Sequence, residues 1–170
     1  MKIRIASPLQ CDSIVDGEGI RIVLWTQGCS HNCEGCHNPQ THSFNEGTLV
    51  EVEDIINQIK EFEFQDGITF SGGDPFFQPE ACSIIAKYAK ENNLNVWCYT
   101  GFLFEELVKL STKNVHIKEF LDTIDILIDG PFKIEERDFN VKFRGSRNQR
   151  IIDVPSSLKE NKTILYEKYN

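Results

Sequence analysis

Short β-rich runs alternate with helix-period segments along this chain, and the first four runs end in polar, glycine-bearing motifs. Residues 20–27 (IRIVLWTQ) read as a buried strand that stops at Gly28. Residues 67–71 form a second β-rich run leading into Gly72-Gly73-Asp74-Pro75. A third covers 95–99 and ends at Thr100-Gly101, a fourth covers 123–128 and ends at Asp129-Gly130-Pro131, and a fifth covers 150–154. Between them, Thr48 and Glu51 have the spacing of a capping box. With Val52, Ile55, Ile56, Ile59 and Phe62 at helical spacing, they predict a helix over 49–62. Pro79 can open a helix that carries Ala81, Ile85, Tyr88 and Ala89 on one stripe to about Glu91, and a third helix is predicted over 103–110. Such alternation predicts an α/β fold with βαβ units and a parallel sheet. Ligands of such folds bind at the carboxyl ends of the strands, where these motifs fall.

At 170 residues the chain suits one domain, and it is too short for a complete eight-fold βα barrel of ~250 residues. A single domain over residues 1–170 is expected, with its core at about 10–154 and a polar tail, 155–170, that frays. The 18 Lys and Arg against 26 Asp and Glu leave a net charge of −8, which argues against general binding to nucleic acid or anionic membrane. No stretch approaches the ~20 apolar residues of a membrane span, and the first ten residues have no apolar core of a secretory signal. A cytoplasmic protein is expected.

Three of the six cysteines, Cys29, Cys33 and Cys36, crowd into the loop after the first long strand, while Cys11, Cys82 and Cys98 lie far apart. Disulfide frameworks belong to small secreted chains, and clustered cysteines in a cytosolic chain more often bind metal. A C-x3-C-x2-C loop can point three thiolates at one centre, which suits zinc or an iron–sulfur cluster. Structural zinc wants four closed ligands, usually in two pairs, and no second pair follows. Three ligands on a four-iron cluster leave one iron open. Three unliganded cysteines and structural zinc remain the alternatives.

The C-x3-C-x2-C loop resembles the signature of the radical S-adenosylmethionine (SAM) superfamily. Gly35 stands where that family usually carries an aromatic residue, so His37 or a backbone group would take over its contact. Ser71-Gly72-Gly73-Asp74-Pro75 is similar to the family's Gly-Gly-Glu-Pro motif, which receives the SAM amino group. Asp16-Gly17-Glu18-Gly19-Ile20-Arg21 resembles the D-G-P-G-x-R stretch of activases for glycyl-radical enzymes, with Glu18 where proline is usual. Tyr99-Thr100-Gly101 resembles an activase element near SAM, and Asp129-Gly130 one near the substrate peptide. Residues 143–150 (FRGSRNQR) are similar to a stretch of the activases of anaerobic ribonucleoside-triphosphate reductase, and they narrow the subfamily.

The resemblance implies a [4Fe–4S] cluster, one per chain, with Cys29, Cys33 and Cys36 as metal ligands and no catalytic residue beyond cluster and SAM. Gly35, Cys36, His37, Gly72, Gly73, Asp74, Thr100 and Arg144 are the implied SAM-site residues. SAM would be cleaved reductively to a 5′-deoxyadenosyl radical, which takes a hydrogen atom from a glycine of the large reductase subunit. An external one-electron donor such as flavodoxin is implied, with no nucleic acid and no membrane as partner. With about five strands, the resemblance points to a partial, open βα (TIM-like) barrel. Its uncovered edge suits a substrate that is itself a protein loop.

An activase of another glycyl-radical enzyme such as pyruvate formate-lyase, a small-molecule radical SAM enzyme and a zinc-binding interaction module are the competing readings. Charge alone reads Lys142, Arg144, Arg147 and Arg150 as a solvated patch paired with Glu135, Glu136 and Asp138. Cys82, Cys98, Trp25 and Trp97 read as core, and His31, His42 and His116 as uncommitted.

Overall fold

The computed structural model describes residues 1–170. Eight strands form one sheet: β1 (Lys2–Ile5), β2 (Gln10–Ser13), β3 (Arg21–Thr26), β4 (Thr48–Glu51), β5 (Gly67–Gly72), β6 (Asn95–Tyr99), β7 (Ile126–Asp129) and β8 (Arg150–Asp153). Five helices accompany them: α1 (Val52–Glu61), α2 (Pro79–Glu91), α3 (Phe104–Ser111), α4 (Val115–Thr123) and α5 (Val154–Glu160). The order across the sheet is β4-β1-β3-β5-β6-β7-β8, with β2 paired to β3. The four middle strands, β3, β5, β6 and β7, are parallel, as the alternation predicts. The predicted all-parallel sheet needs correction at its margins. β1 and β2 pair antiparallel with β3, β4 pairs antiparallel with β1, and β8 pairs antiparallel with β7.

Side-chain alternation divides the sheet into two faces. Ile22, Leu24, Ile68, Phe70, Val96, Cys98, Leu127 and Ile152 point to the helices and join the main core of 26 buried residues. Phe120 of α4 packs against Phe70 and Phe76, with ring centroids 5.2 and 4.7 Å away. On the other face Trp97, Ile126, Ile128 and Ile151 form a smaller cluster, covered by Tyr99, Phe143, Tyr166 and Tyr169. Arg21 lies fully buried and donates to Thr69 Oγ1 and to the carbonyls of Glu18 and Ile68, with its guanidinium 5.3 Å from the Trp97 ring centre. Burial pulls its pKa down to about 10, so it stays charged at neutral pH. Gly17 leaves it room, because a Cβ there would sit 2.8 Å from Arg21 Cδ.

Three local expectations give way to long-range contacts. Thr48 and Glu51 form no capping box; they lie in β4, whose backbone pairs with β1 from Ile5↔Thr48 to Lys2↔Glu51, and the helix starts only at Val52. Thr123 ends α4, a helix the periodicity did not reveal, rather than opening the fourth strand. The tail packs back against β8. Residues 154–160 are helical, and beyond them Tyr166 N–H donates to Ile151 O while the Asn170 side chain bonds both Ile151 backbone groups. Glu18 accepts from the hydroxyls of Tyr166 and Tyr169 and pairs with Lys168.

Phe120→Ala is expected to cost about 3–5 kcal/mol, and so to lower the thermal midpoint by on the order of 10 °C for a chain of this size. Circular dichroism melting checks this. The Tyr169 hydrogen bond, with Lys168 and Tyr166, holds the Glu18 carboxyl below its ordinary value. Its contribution is therefore complete above the unfolded carboxyl pKa of about 4.3 and is lost as pH falls further. Amide NMR shifts of residues 166–170 should move as pH drops below about 4, and Glu18→Gln should remove that step.

Candidate metal and cofactor cleft

The loops after β3, β5, β6 and β7 converge on a cleft of about 390 Å³ at the carboxyl ends of the parallel strands. Cys29, Cys33 and Cys36 all line it, together with Gly72, Gly73, Thr100, Gly101, Gly130 and Arg144. None of the six cysteines is in a disulfide. Cys82 and Cys98 are fully buried among the helices, as expected of core residues.

The cysteine loop is anchored at its start and held by close backbone contacts. Gly28 N–H donates to Thr41 O at 2.7 Å and Cys29 N–H to His42 O at 3.1 Å, so the segment returning to β4 pins the entry. Gly28 O accepts from Asp74 N at 3.0 Å, and Gly73 N–H donates to Thr26 O at 2.7 Å. These bonds bring the Gly72-Gly73 turn against the cysteine loop. Gly73 is required by that approach, since a Cβ there would lie 2.5 Å from Gly28 O.

The three thiols fit a multi-iron cluster. The donors on this cleft are three soft thiols, the set that iron–sulfur clusters use, whereas closed zinc sites need four ligands. Burial pushes the Cys29 thiol up to about 11 and raises that of Cys33. A metal group bound here would displace protons from these thiols.

The structure sorts the remaining sequence-predicted site residues. His37 lies on the cleft wall, its ring 5.0 Å from that of Phe132. Gly35 has φ +74°, a conformation that favours glycine, and a Cβ there would meet the Ile134 side chain at 2.8 Å. Asp74 sits just after the Gly72-Gly73 turn. It is 1% exposed, and its carboxylate accepts from Phe76 N, Gly101 N, Thr100 Oγ1 and His31 Nε2. It stands behind the cleft wall with its oxygens engaged by the protein. Asp129 is likewise fully buried, accepting from Phe104 N and from Arg150.

Arg150 reaches Glu105 as well, which is held down to about 2 by that contact, so this arginine is a structural tie. Arg147 lies 4.0 Å from Asp138, the kind of surface pairing that charge alone suggests. Arg144 differs. It donates to the carbonyls of Lys142, Gln149 and Tyr169, pairs with no carboxylate, and lines the cleft. Sequence reasoning placed Trp25 in the core, yet it is half-buried on the cleft wall beside Asp16 and Val15. It also passed over His31 and His42, which no spacing rule singles out.

Gly73→Ala should push the Gly28 backbone away from the turn and destabilise the protein by about 1–3 kcal/mol. A denaturant titration of the metal-free protein checks the loss.

A family model described as a 4Fe-4S single cluster domain matches residues 15–152. The chain is 36% identical over 146 residues to the anaerobic ribonucleoside-triphosphate reductase-activating protein of Haemophilus influenzae, covering 81% of this chain and 90% of that one. It is 33% identical over 150 residues to the protein of the same name from Enterobacteria phage T4, covering 83% and 88%. The Escherichia coli K12 protein of that name is 33% identical over 144 residues, covering 80% and 90%. Among solved structures, QueE from Escherichia coli superposes with a TM-score of 0.49 at 14% identity, over 59% of this chain and 53% of that one. Matches over most of both chains, together with a cluster-domain model spanning the cysteine loop and the arginine-rich segment, establish that this chain belongs to the family of anaerobic ribonucleoside-triphosphate reductase-activating proteins.

Proposed function

We propose that this chain is a radical SAM activase that generates a glycyl radical on the large subunit of anaerobic ribonucleoside-triphosphate reductase. Cys29, Cys33 and Cys36 hold a [4Fe–4S] cluster, and SAM binds beside it along Gly72, Gly73 and Thr100. The bound cluster and SAM supply the reductive cleavage and hydrogen-atom abstraction, with the electron coming from a donor such as flavodoxin. The observation that carries the reading is the convergence of the three thiols, the Gly72-Gly73 turn and an unpaired arginine on one cleft.

The chain's own residues bind, orient and exclude water. The backbone of Gly72 and Gly73 comes close to a ligand because neither carries a side chain. Arg144, without a carboxylate partner in the chain, is available to the carboxylate of SAM or of a partner peptide. Trp25, Tyr99 and Phe132 line the cleft with rings that keep water from a reactive centre. His37 takes the place of the family's aromatic contact, its ring set against Phe132.

The fold is read as a partial, open βα barrel forming a single domain of residues 1–170. β3, β5, β6 and β7 are its parallel staves, and the sheet ends at β4 and β8 rather than closing. That open side leaves a way in for a protein loop. No helix is long and apolar enough to cross a membrane. The reading places the protein in the cytoplasm, where thiols stay reduced, acting on a protein partner rather than on nucleic acid or membrane.

Anaerobic reconstitution tests the cofactor. A brown protein with about four irons and four sulfides per chain is expected, and Ala at Cys29, Cys33 or Cys36 should abolish that content. A colourless protein with stoichiometric zinc would overturn the reading. Arg144→Ala should keep the iron and weaken SAM binding by about tenfold or more, the scale of a lost charge-assisted hydrogen bond. Isothermal titration under anaerobic conditions separates the two effects.

A further inference from the structure

His31 stands in the cysteine loop, between Cys29 and Cys33, and the proposed chemistry assigns it no role. Its Nε2 lies 2.6 Å from Asp74 Oδ2. An ionised carboxylate only accepts, so Nε2 is the donor of this pair when Asp74 is ionised. The ring is set edge-on to Phe102, with centroids 4.6 Å apart at 81°, and tilted against Phe77 at 5.5 Å. Gly101 makes room for it, since a Cβ there would lie 2.5 Å from His31 Cδ2. Ser30, Asn32 and Glu34 make no side-chain hydrogen bond, so His31 is the polar side chain that fastens this stretch to the body of the protein.

What it is fastened to matters. Asp74 follows the Gly72-Gly73 turn and is almost fully buried. Besides His31, its carboxylate holds Thr100 Oγ1 and Gly101 N, at the end of β6. One carboxylate therefore joins three loops, and two of them carry the proposed SAM contacts while the third carries the thiols. His31 is also the one partner of Asp74 that comes from the cysteine loop's side chains. SAM must meet the cluster and the Gly72-Gly73 turn at once, and a misplacement of about 1 Å in such a site can cost 10²-fold.

We propose that His31 is a positioning residue that, through the buried Asp74 carboxylate, fixes the register between the cysteine loop and the Gly72-Gly73 and Thr100 walls of the cleft. The proposal rests on the radical SAM reading and adds to it a residue of the cleft wall that acts through its hydrogen bond to Asp74. Gln places an amide N–H at the reach of Nε2, whereas Leu fills the space without a donor. That pair separates the hydrogen bond from mere packing.

The test compares the reconstituted parent with His31→Leu and His31→Gln. Iron and sulfide per chain report the cluster. A SAM titration, read from the electron paramagnetic resonance (EPR) spectrum of the reduced cluster, reports the register. His31→Leu should keep most of its iron, bind SAM about tenfold or more weakly, and show a smaller SAM-induced spectral change. His31→Gln should restore both. Parent-like SAM binding in His31→Leu would overturn the proposal, and so would a Gln variant as impaired as Leu. Loss of iron in step with loss of SAM binding would also overturn it, making His31 a residue for cluster retention. If the parent itself shows a cluster but no response to SAM, the underlying radical SAM reading fails, and the proposal falls with it.

Discussion

The cleft depends on one buried carboxylate. Asp74 is shielded from water, and a charge in that position persists only when its oxygens are satisfied by the protein. It draws donors from the turn that follows it, from the end of β6 and from the cysteine loop. Each donor comes from a loop that would otherwise be free to drift over the strand ends. Satisfying this charge and shaping the cleft are therefore the same event. The backbone bonds from Gly73 to Thr26 and from Asp74 to Gly28 complete the arrangement on the β3 side.

A second buried charge organises the other end of the inner sheet face. Arg21 has no carboxylate within hydrogen-bond reach and is held by carbonyl oxygens, a hydroxyl and the Trp97 ring. It joins the turn before β3 to β5 and β6. The same turn carries Glu18, which receives the tail tyrosines after β8. The sheet does not close by strand pairing, yet side chains bridge from its β8 side to the turn before β3 across the inner face. Glu18 thus has physical partners in Tyr166, Lys168 and Tyr169. Those residues lie beyond the span of the matched family model.

Much of this was legible in the sequence where local pattern and chemistry coincide. The β-rich runs ending in glycine-bearing motifs located the four parallel strands and the loops that line the cleft. The cysteine spacing placed three thiols on one loop, and folding sets all three on the cleft. Where long-range pairing competes with local signals, the reading failed. Thr48 and Glu51 have capping-box spacing, but β1 claims their backbone, and nothing near them in sequence announces it. The partners of the Asp74 carboxylate were equally hidden, because Thr100, Gly101 and His31 lie 26, 27 and 43 residues away. The four cations of 142–150 look alike in sequence, and only folding separates Arg150, bound to Asp129 and Glu105, from Arg144 on the cleft.

The acidic body and open sheet edge frame a site built to act on another protein. Its most direct measurement is EPR of the reductase large subunit after anaerobic incubation with the reconstituted protein, SAM and a one-electron reductant. The predicted result is a glycyl-radical doublet on the reductase, absent when SAM or the protein is omitted. Reductive SAM cleavage with no radical on the reductase, or a radical that forms without SAM, would contradict it.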